Sequence, residues 1–146
     1  MLAPGNKRIS TVAKEYCLAA STLRFYEDQG LLPTLKRLNG TRIFDADALQ
    51  ALEDIECLKL VGMSIADIRD FMNLKRAGDA TLSQRQQMLS NQRQHLEDQI
   101  EELKQSLVKL KHKEWYYQEA AKAGSEDIFS DDCTTEYYRA HPDEQK

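Results

Sequence analysis

The chain has 146 residues, 41% of them hydrophobic, 30% charged and 8% aromatic. That length suits one compact domain plus an accessory element. No apolar run approaches the roughly 18 residues a spanning helix needs, and Met1 to Ile9 has no apolar core of a secretory signal, so no membrane or export segment is expected. Cysteines fall at 17, 57 and 133 only. This is neither a disulfide framework nor a zinc ribbon, so a reducing cytoplasm is the expected compartment.

The net charge of −4 argues against a generally basic nucleic-acid binder. It conceals an asymmetry. Residues 1–44 carry seven basic and three acidic side chains, a charge of +4, and the remainder carries −8. A cationic head on an acidic body is the pattern of a DNA-binding module joined to a regulatory one.

In chain order, Ser10-Thr11 cap a first helix through about Tyr16. A turn at Cys17 to Ala19 leads into a second helix, about 20–29, with Leu23 and Tyr26 among its buried candidates, stopped by Gly30 and Pro33. Residues 35–44 read as a two-stranded hairpin turning on Asn39-Gly40, the strongest short hairpin signal. Asp45 caps a third helix, about 46–61, with Leu49, Leu52, Ile55 and Leu58 on its apolar face, and Gly62 ends it. Ser64 with Asp67 resembles a capping box, opening a fourth helix over about 65–75.

The clearest periodicity follows. Leu82, Leu89, Leu96, Leu103 and Leu110 recur every seven residues. Gln86, Arg93, Ile100 and Leu107 fill the positions four residues after the first four. This is the heptad pattern of a coiled coil. A helix from about 81 to 123 is roughly 60 Å long, too long to fold back within so small a domain. Its seam, Leu82, Leu89, Leu96, Ile100, Leu103, Leu107 and Leu110, is therefore expected to join two chains. The tail after Gly124 holds seven acids against Arg139 and Lys146. Much of it is expected to lack fixed structure, with Ile128, Phe129, Tyr137 and Tyr138 able to dock locally.

The predicted architecture is thus mainly α. A winged helix-turn-helix head spans 1–76, a coiled-coil dimerisation helix 77–124 and an acidic tail 125–146. In a helix-turn-helix the second helix enters the major groove. Ser21 and Thr22 sit near its N-terminus, where phosphate is favoured. Arg24 suits a guanine edge or a phosphate, and Tyr26 offers its hydroxyl to the backbone. Phe25 and Tyr26 read equally as core aromatics. Lys36, Arg37 and Arg42 put three cations on a short hairpin, a natural phosphate clamp. Double-stranded DNA is the expected partner. No phosphate loop, metalloprotease motif or nucleophile with a base points to an enzyme, and no cofactor is implied.

The runs Ala20-Ser21-Thr22-Leu23-Arg24-Phe25-Tyr26-Glu27, Gly30-Leu31-Leu32-Pro33, Asn39-Gly40-Thr41-Arg42-Ile43-Phe44 and Leu60-Val61-Gly62-Met63-Ser64-Ile65 resemble the MerR family of bacterial transcription regulators. The resemblance implies a homodimer joined through an antiparallel coiled coil. It implies binding to a palindrome inside a promoter with an overlong spacer. The dimer would bend and untwist the DNA so that RNA polymerase engages both promoter elements, an activation through indirect readout. Cys17 stands where the family commonly has a turn glycine, and Ala19 where a capping serine is common. Ser21 and Thr41 replace a frequent Arg and Tyr, removing phosphate contacts.

The stretch Cys57 to Ile65, with Trp115-Tyr116-Tyr117 and Gly124-Ser125-Glu126, is similar to the NmlR and AdhR branch of the family, which responds to aldehydes and other electrophiles. That similarity makes Cys57 a candidate sensor thiol for a small electrophile. On the third helix Glu53 and Asp54 would oppose its ionisation, and a buried core cysteine is the competing reading. Trp115, Tyr116 and Tyr117 either line a ligand pocket or pack the helix end. No metal site is expected: His112, Cys133 and His141 have no recognised ligand spacing. A metal or drug sensor of the same family, and a coiled-coil scaffold, remain as alternatives.

Overall fold

The computed structural model describes residues 1–145. The chain divides into two compact units, Met1–Leu96 and Glu97–Lys146.

The first unit begins with strand β1 (Lys7–Arg8) and helix α1 (Ile9–Glu15), followed by α2 (Ala20–Asp28). Strands β2 (Lys36–Leu38) and β3 (Thr41–Phe44) lead to α3 (Ala46–Leu60) and α4 (Ile65–Arg76). The wing is a three-stranded antiparallel sheet of order β1-β3-β2. Lys7 pairs with Phe44 on one side of β3, and Arg37 with Arg42 on the other. The two-stranded expectation missed β1, which is only two residues long and shows no alternation. Asn39 and Gly40 both adopt positive φ, +51° and +79°, as a tight hairpin turn of right-handed strands requires.

One core holds the unit together. Val12 of α1, Leu23 and Tyr26 of α2, Phe44 of β3, Leu52 and Ile55 of α3 and Ile68 of α4 are fully buried. Burying a side chain of this kind contributes about 1.5–3 kcal/mol each. The expected Ser10-Thr11 cap is corrected: both residues lie inside α1, whose N-cap is Arg8 with no side-chain bond, the chain entering the helix directly from β1. The next two expected caps form. Asp45 accepts a hydrogen bond from the Ala48 amide at 3.0 Å, and Ser64 from the Asp67 amide at 3.1 Å.

The corner between α1 and α2 departs from good capping at both of its ends. α1 closes with the Leu18 amide on the Ala13 carbonyl (2.9 Å) and the Cys17 amide on that of Lys14 (3.4 Å). The same double bond closes α2 at Gly30 and α3 at Gly62. Cys17 adopts the left-handed φ, +53°, that glycine supplies at those two helix ends. Ala19, the N-cap of α2, offers no side-chain acceptor. Ala19→Ser is expected to raise stability by about 1 kcal/mol, read as a higher urea midpoint with an unchanged slope.

Helix α5 (Leu82–Ala123) gives its first residues to this unit and the rest to the second. Its seam leucines are solvent-exposed in the single chain, Leu103 at 69% and Leu107 at 65%.

In the second unit, the tail is more ordered than its composition suggests. Helix α6 (Cys133–Ala140) is capped by Asp132, whose carboxylate accepts from the Thr134 and Thr135 amides. Glu136 accepts from the Ser130 and Asp131 amides at 3.1 and 3.0 Å and from Arg139 at 2.7 Å, tying the approach loop to the helix. The Tyr137 ring lies between the imidazoles of His112 and His141, with centroids 4.2 and 4.3 Å away. Buried rings and carboxylate hydrogen bonds together order this segment. The sequence allowed Phe129, Tyr137 and Tyr138 to dock locally but did not show His112, Trp115 and His141 as the rings they meet.

Candidate nucleic-acid interface

α1 and α2 form the helix-turn-helix, and α2 presents its polar face outward. Ser21, Arg24 and Phe25 are exposed and Thr22 is half-buried. Arg24 has no ion-pair partner among the described residues, so its guanidinium is free for a base edge or a phosphate. Phe25, read from sequence as either core or interface, lies at the surface, 44% exposed.

Tyr26 does not reach outward. Its ring is 1% exposed, and its hydroxyl donates to Glu56 at 2.9 Å and accepts from Lys59 at 2.5 Å. Burial pushes the phenol pKa up and the Glu56 bond adds to this, outweighing the Lys59 bond, which lowers it. The expectation that this hydroxyl contacts DNA is corrected: three residues after Leu23, Tyr26 falls on the core face of α2. Its role is to lock α2 onto α3.

The wing cations are also more engaged than the sequence suggests. Arg42 donates from Nε to Glu27 at 2.8 Å, and the Leu35 amide donates to the other Glu27 oxygen at 2.6 Å. Arg37 stands 4.0 Å from the same carboxylate, and Lys36 pairs with Asp45 at 2.9 Å. Burial pushes the Glu27 carboxyl up, but the bonds from Arg42 and the Leu35 amide outweigh it and hold the group below the usual carboxylate range. Arg42 therefore pins the wing to α2 and is not a free member of the clamp. Lys36 and Arg37 remain exposed and carry the wing's positive face. Sequence reasoning missed Glu27, Glu56 and Lys59. The available signal was an acid inside a cationic stretch, which implies an ion pair but not its partner.

In the single chain Cys57 lies on the exposed side of α3, outside the core of the head. The acids beside it are occupied: Asp54 is paired with Lys75, and Glu53 accepts from the Tyr16 hydroxyl at 3.1 Å. Cys17 is also exposed and Cys133 half-buried.

Trp115 and Tyr116 face their own tail. Trp115 meets Phe129, Tyr137 and His141 with ring centroids 5.4–5.6 Å apart, and Tyr116 stacks on Phe129 at 4.3 Å. Tyr117 is half-exposed. Of the two sequence readings, packing of the helix end is what these two rings do, against Phe129 before α6, Tyr137 within it and His141 just after it. No group of three or more His, Cys, Asp or Glu placed to hold a metal ion occurs among the described residues. Nor, among them, is any helix long and apolar enough to cross a membrane.

The fold and this face define a winged helix-turn-helix DNA-binding protein. Residues 7–75 match the family described as MerR HTH family regulatory protein, and residues 49–113 the family described as MerR, DNA binding. An HTH-type transcriptional regulator of Haemophilus influenzae is 40% identical over 114 residues, 77% of this chain and 84% of that protein. The regulator AdhR of Bacillus subtilis is 37% identical over 86 residues, 58% of this chain and 61% of that one. The crystal structure of HiNmlR, a MerR family regulator lacking the sensor domain and bound to promoter DNA, superposes with a TM-score of 0.70. It is 37% identical and covers 85% of this chain and 99% of its own. The chain belongs to the MerR family: it is a DNA-binding transcription regulator, and the family is not enzymatic.

Proposed function

We propose that two copies of this chain pair along the α5 seam and seat their α2 helices on a palindromic promoter. The pair distorts the promoter so that RNA polymerase can engage it, in response to an aldehyde or another thiol-reactive electrophile captured by Cys57. The observation that carries the pairing is the seam itself. Seven apolar side chains at heptad spacing stand exposed along one helix, and a solvated stripe of that kind calls for a partner of the same pattern. HiNmlR, bound to promoter DNA, supports the DNA half of the reading.

For Cys57, support comes from exposure and from its neighbours. Glu56 and Lys59, one residue before and two after it, hold the buried hydroxyl of Tyr26 on the recognition helix. A shift of α3 is therefore passed to α2 through two hydrogen bonds. With an aldehyde, the Cys57 sulfur adds to the carbonyl carbon, and the carbonyl oxygen takes the proton that the thiol gives up. The adduct adds bulk on α3 next to that linkage.

Reporter transcription under a small aldehyde such as formaldehyde tests this. Cys57→Ser is expected to abolish induction and leave operator affinity within about twofold, since Cys57 contacts no DNA in this account. Cys17→Ser and Cys133→Ser should respond as the parent does. Undiminished induction in Cys57→Ser contradicts the sensor role.

A further inference from the structure

Helix α4 grips the far end of the recognition helix with two guanidinium groups. Arg69 donates from Nε to the Gln29 carbonyl at 2.5 Å and from Nη2 to the Gln29 side-chain oxygen at 2.7 Å. Arg76 donates from Nη2 to the carbonyls of Gly30 and Leu31 at 3.0 and 2.9 Å, and from Nη1 to Asn73 at 2.7 Å. The arginines are seven residues apart and so share one face of α4. α2 has no basic residue of its own in its last turn, so these cations answer the negative end of its dipole from another helix. A planar fork on two acceptors fixes an angle as well as a distance, which a single ammonium does not.

α4 is in turn locked to the start of α5. Thr81, buried in the corner after Gly78, donates to the Leu74 carbonyl at 2.6 Å, and Arg85 donates to Thr81 at 3.1 Å and to the Gly78 carbonyl at 3.3 Å. The start of the long helix, α4 and the recognition helix thus form one chain of directional bonds within the first unit. The opposite end of α2 is held least well, by an uncapped Ala19 and the left-handed Cys17.

We propose that Arg69 and Arg76 are positioning residues that set the angle at which α2 meets the major groove, and hence sequence specificity. Phosphate attraction depends on the number of cations and tolerates small rotations. Hydrogen bonds to base edges do not, because they weaken steeply with misalignment. Loss of the fork therefore lowers specific binding and spares non-specific binding. The proposal rests on the reading of α2 as the recognition helix.

The probe is a duplex enriched by the full-length protein from a random pool, with a shuffled duplex of equal composition as control. The variant Arg69→Lys with Arg76→Lys keeps both charges and loses both forks. It is expected to bind the enriched duplex about tenfold more weakly, the scale of one misaligned bidentate base contact. Affinity for the shuffled duplex and the salt dependence on either should match the parent. Arg69→Lys alone should show the same pattern at smaller size, which serves if the double variant fails to fold. Equal losses on both duplexes with a shallower salt slope would make these arginines phosphate contacts and overturn the proposal, as would unchanged specific affinity. Failure of the parent protein to enrich any duplex would instead remove the recognition-helix reading, and the clamp with it.

Discussion

Replacing Leu103 and Leu107 by glutamate is expected to leave the protein monomeric and unable to hold its operator. Both side chains are about two-thirds exposed in the single chain. Covering a leucine is worth about 1.5–3 kcal/mol, and a symmetric pair covers four of them. Four carboxylates in the same seam must instead be desolvated or left facing one another. The dimer should weaken by on the order of a thousandfold or more, on that burial arithmetic. Sedimentation equilibrium reads the loss directly. Circular dichroism should show the helical content of the head retained, because neither residue belongs to the core of the first unit. Operator binding should fall with dimerisation, since each head alone reads one half-site.

Glu27→Gln is expected to loosen the wing. The substitution removes the ionised acceptor shared by Arg42 and the Leu35 amide. Hydrogen bonds to charged groups contribute roughly 1.5–3 kcal/mol, so stability should fall by about that amount. DNA affinity should fall about tenfold, because Lys36 and Arg37 ride on the strand pair that Glu27 fixes. The pH dependence has a definite sign. The Glu27 carboxyl is held below its ordinary value of 4.5 in the folded protein. Its contribution is complete above that value and is lost as pH falls through the lower folded one. The stability difference between the parent protein and Glu27→Gln should be full at pH 7 and shrink below about pH 4.5. Urea unfolding of the two proteins at pH 7 and at successively lower pH values down to about 3 measures it. An equal difference throughout would assign the effect to shape instead of charge.

Local signals in the sequence located most elements of the head. Asn39-Gly40 placed the hairpin, Asp45 and Ser64 placed two helix starts, and glycines at 30, 62 and 124 placed three ends. These are short-range rules, and the backbone obeys them within a residue or two. β1 escaped because two residues carry no period. The order of the tail escaped because it depends on rings from α5 and α6 meeting, a contact more than twenty residues apart in the chain.

The interface was legible in outline only. The sequence shows that Arg42 is a cation near DNA-facing positions, but not that Glu27, fifteen residues earlier, already holds it. It offers Tyr26 both as a buried candidate and as a backbone contact without deciding between them. Helical periodicity does decide it once Leu23 is fixed as buried. Cys57 was ambiguous because its neighbours in sequence, Ile55 and Leu58, are buried while it is exposed.

The most direct measurement is the number of chains on one DNA duplex. Sedimentation of the full chain with the enriched duplex at low and moderate salt should give two chains per duplex. The complex should dissociate steeply as salt rises, because several phosphates are contacted at once. A single chain that sediments alone and leaves duplex DNA unshifted in dilute buffer would contradict the account.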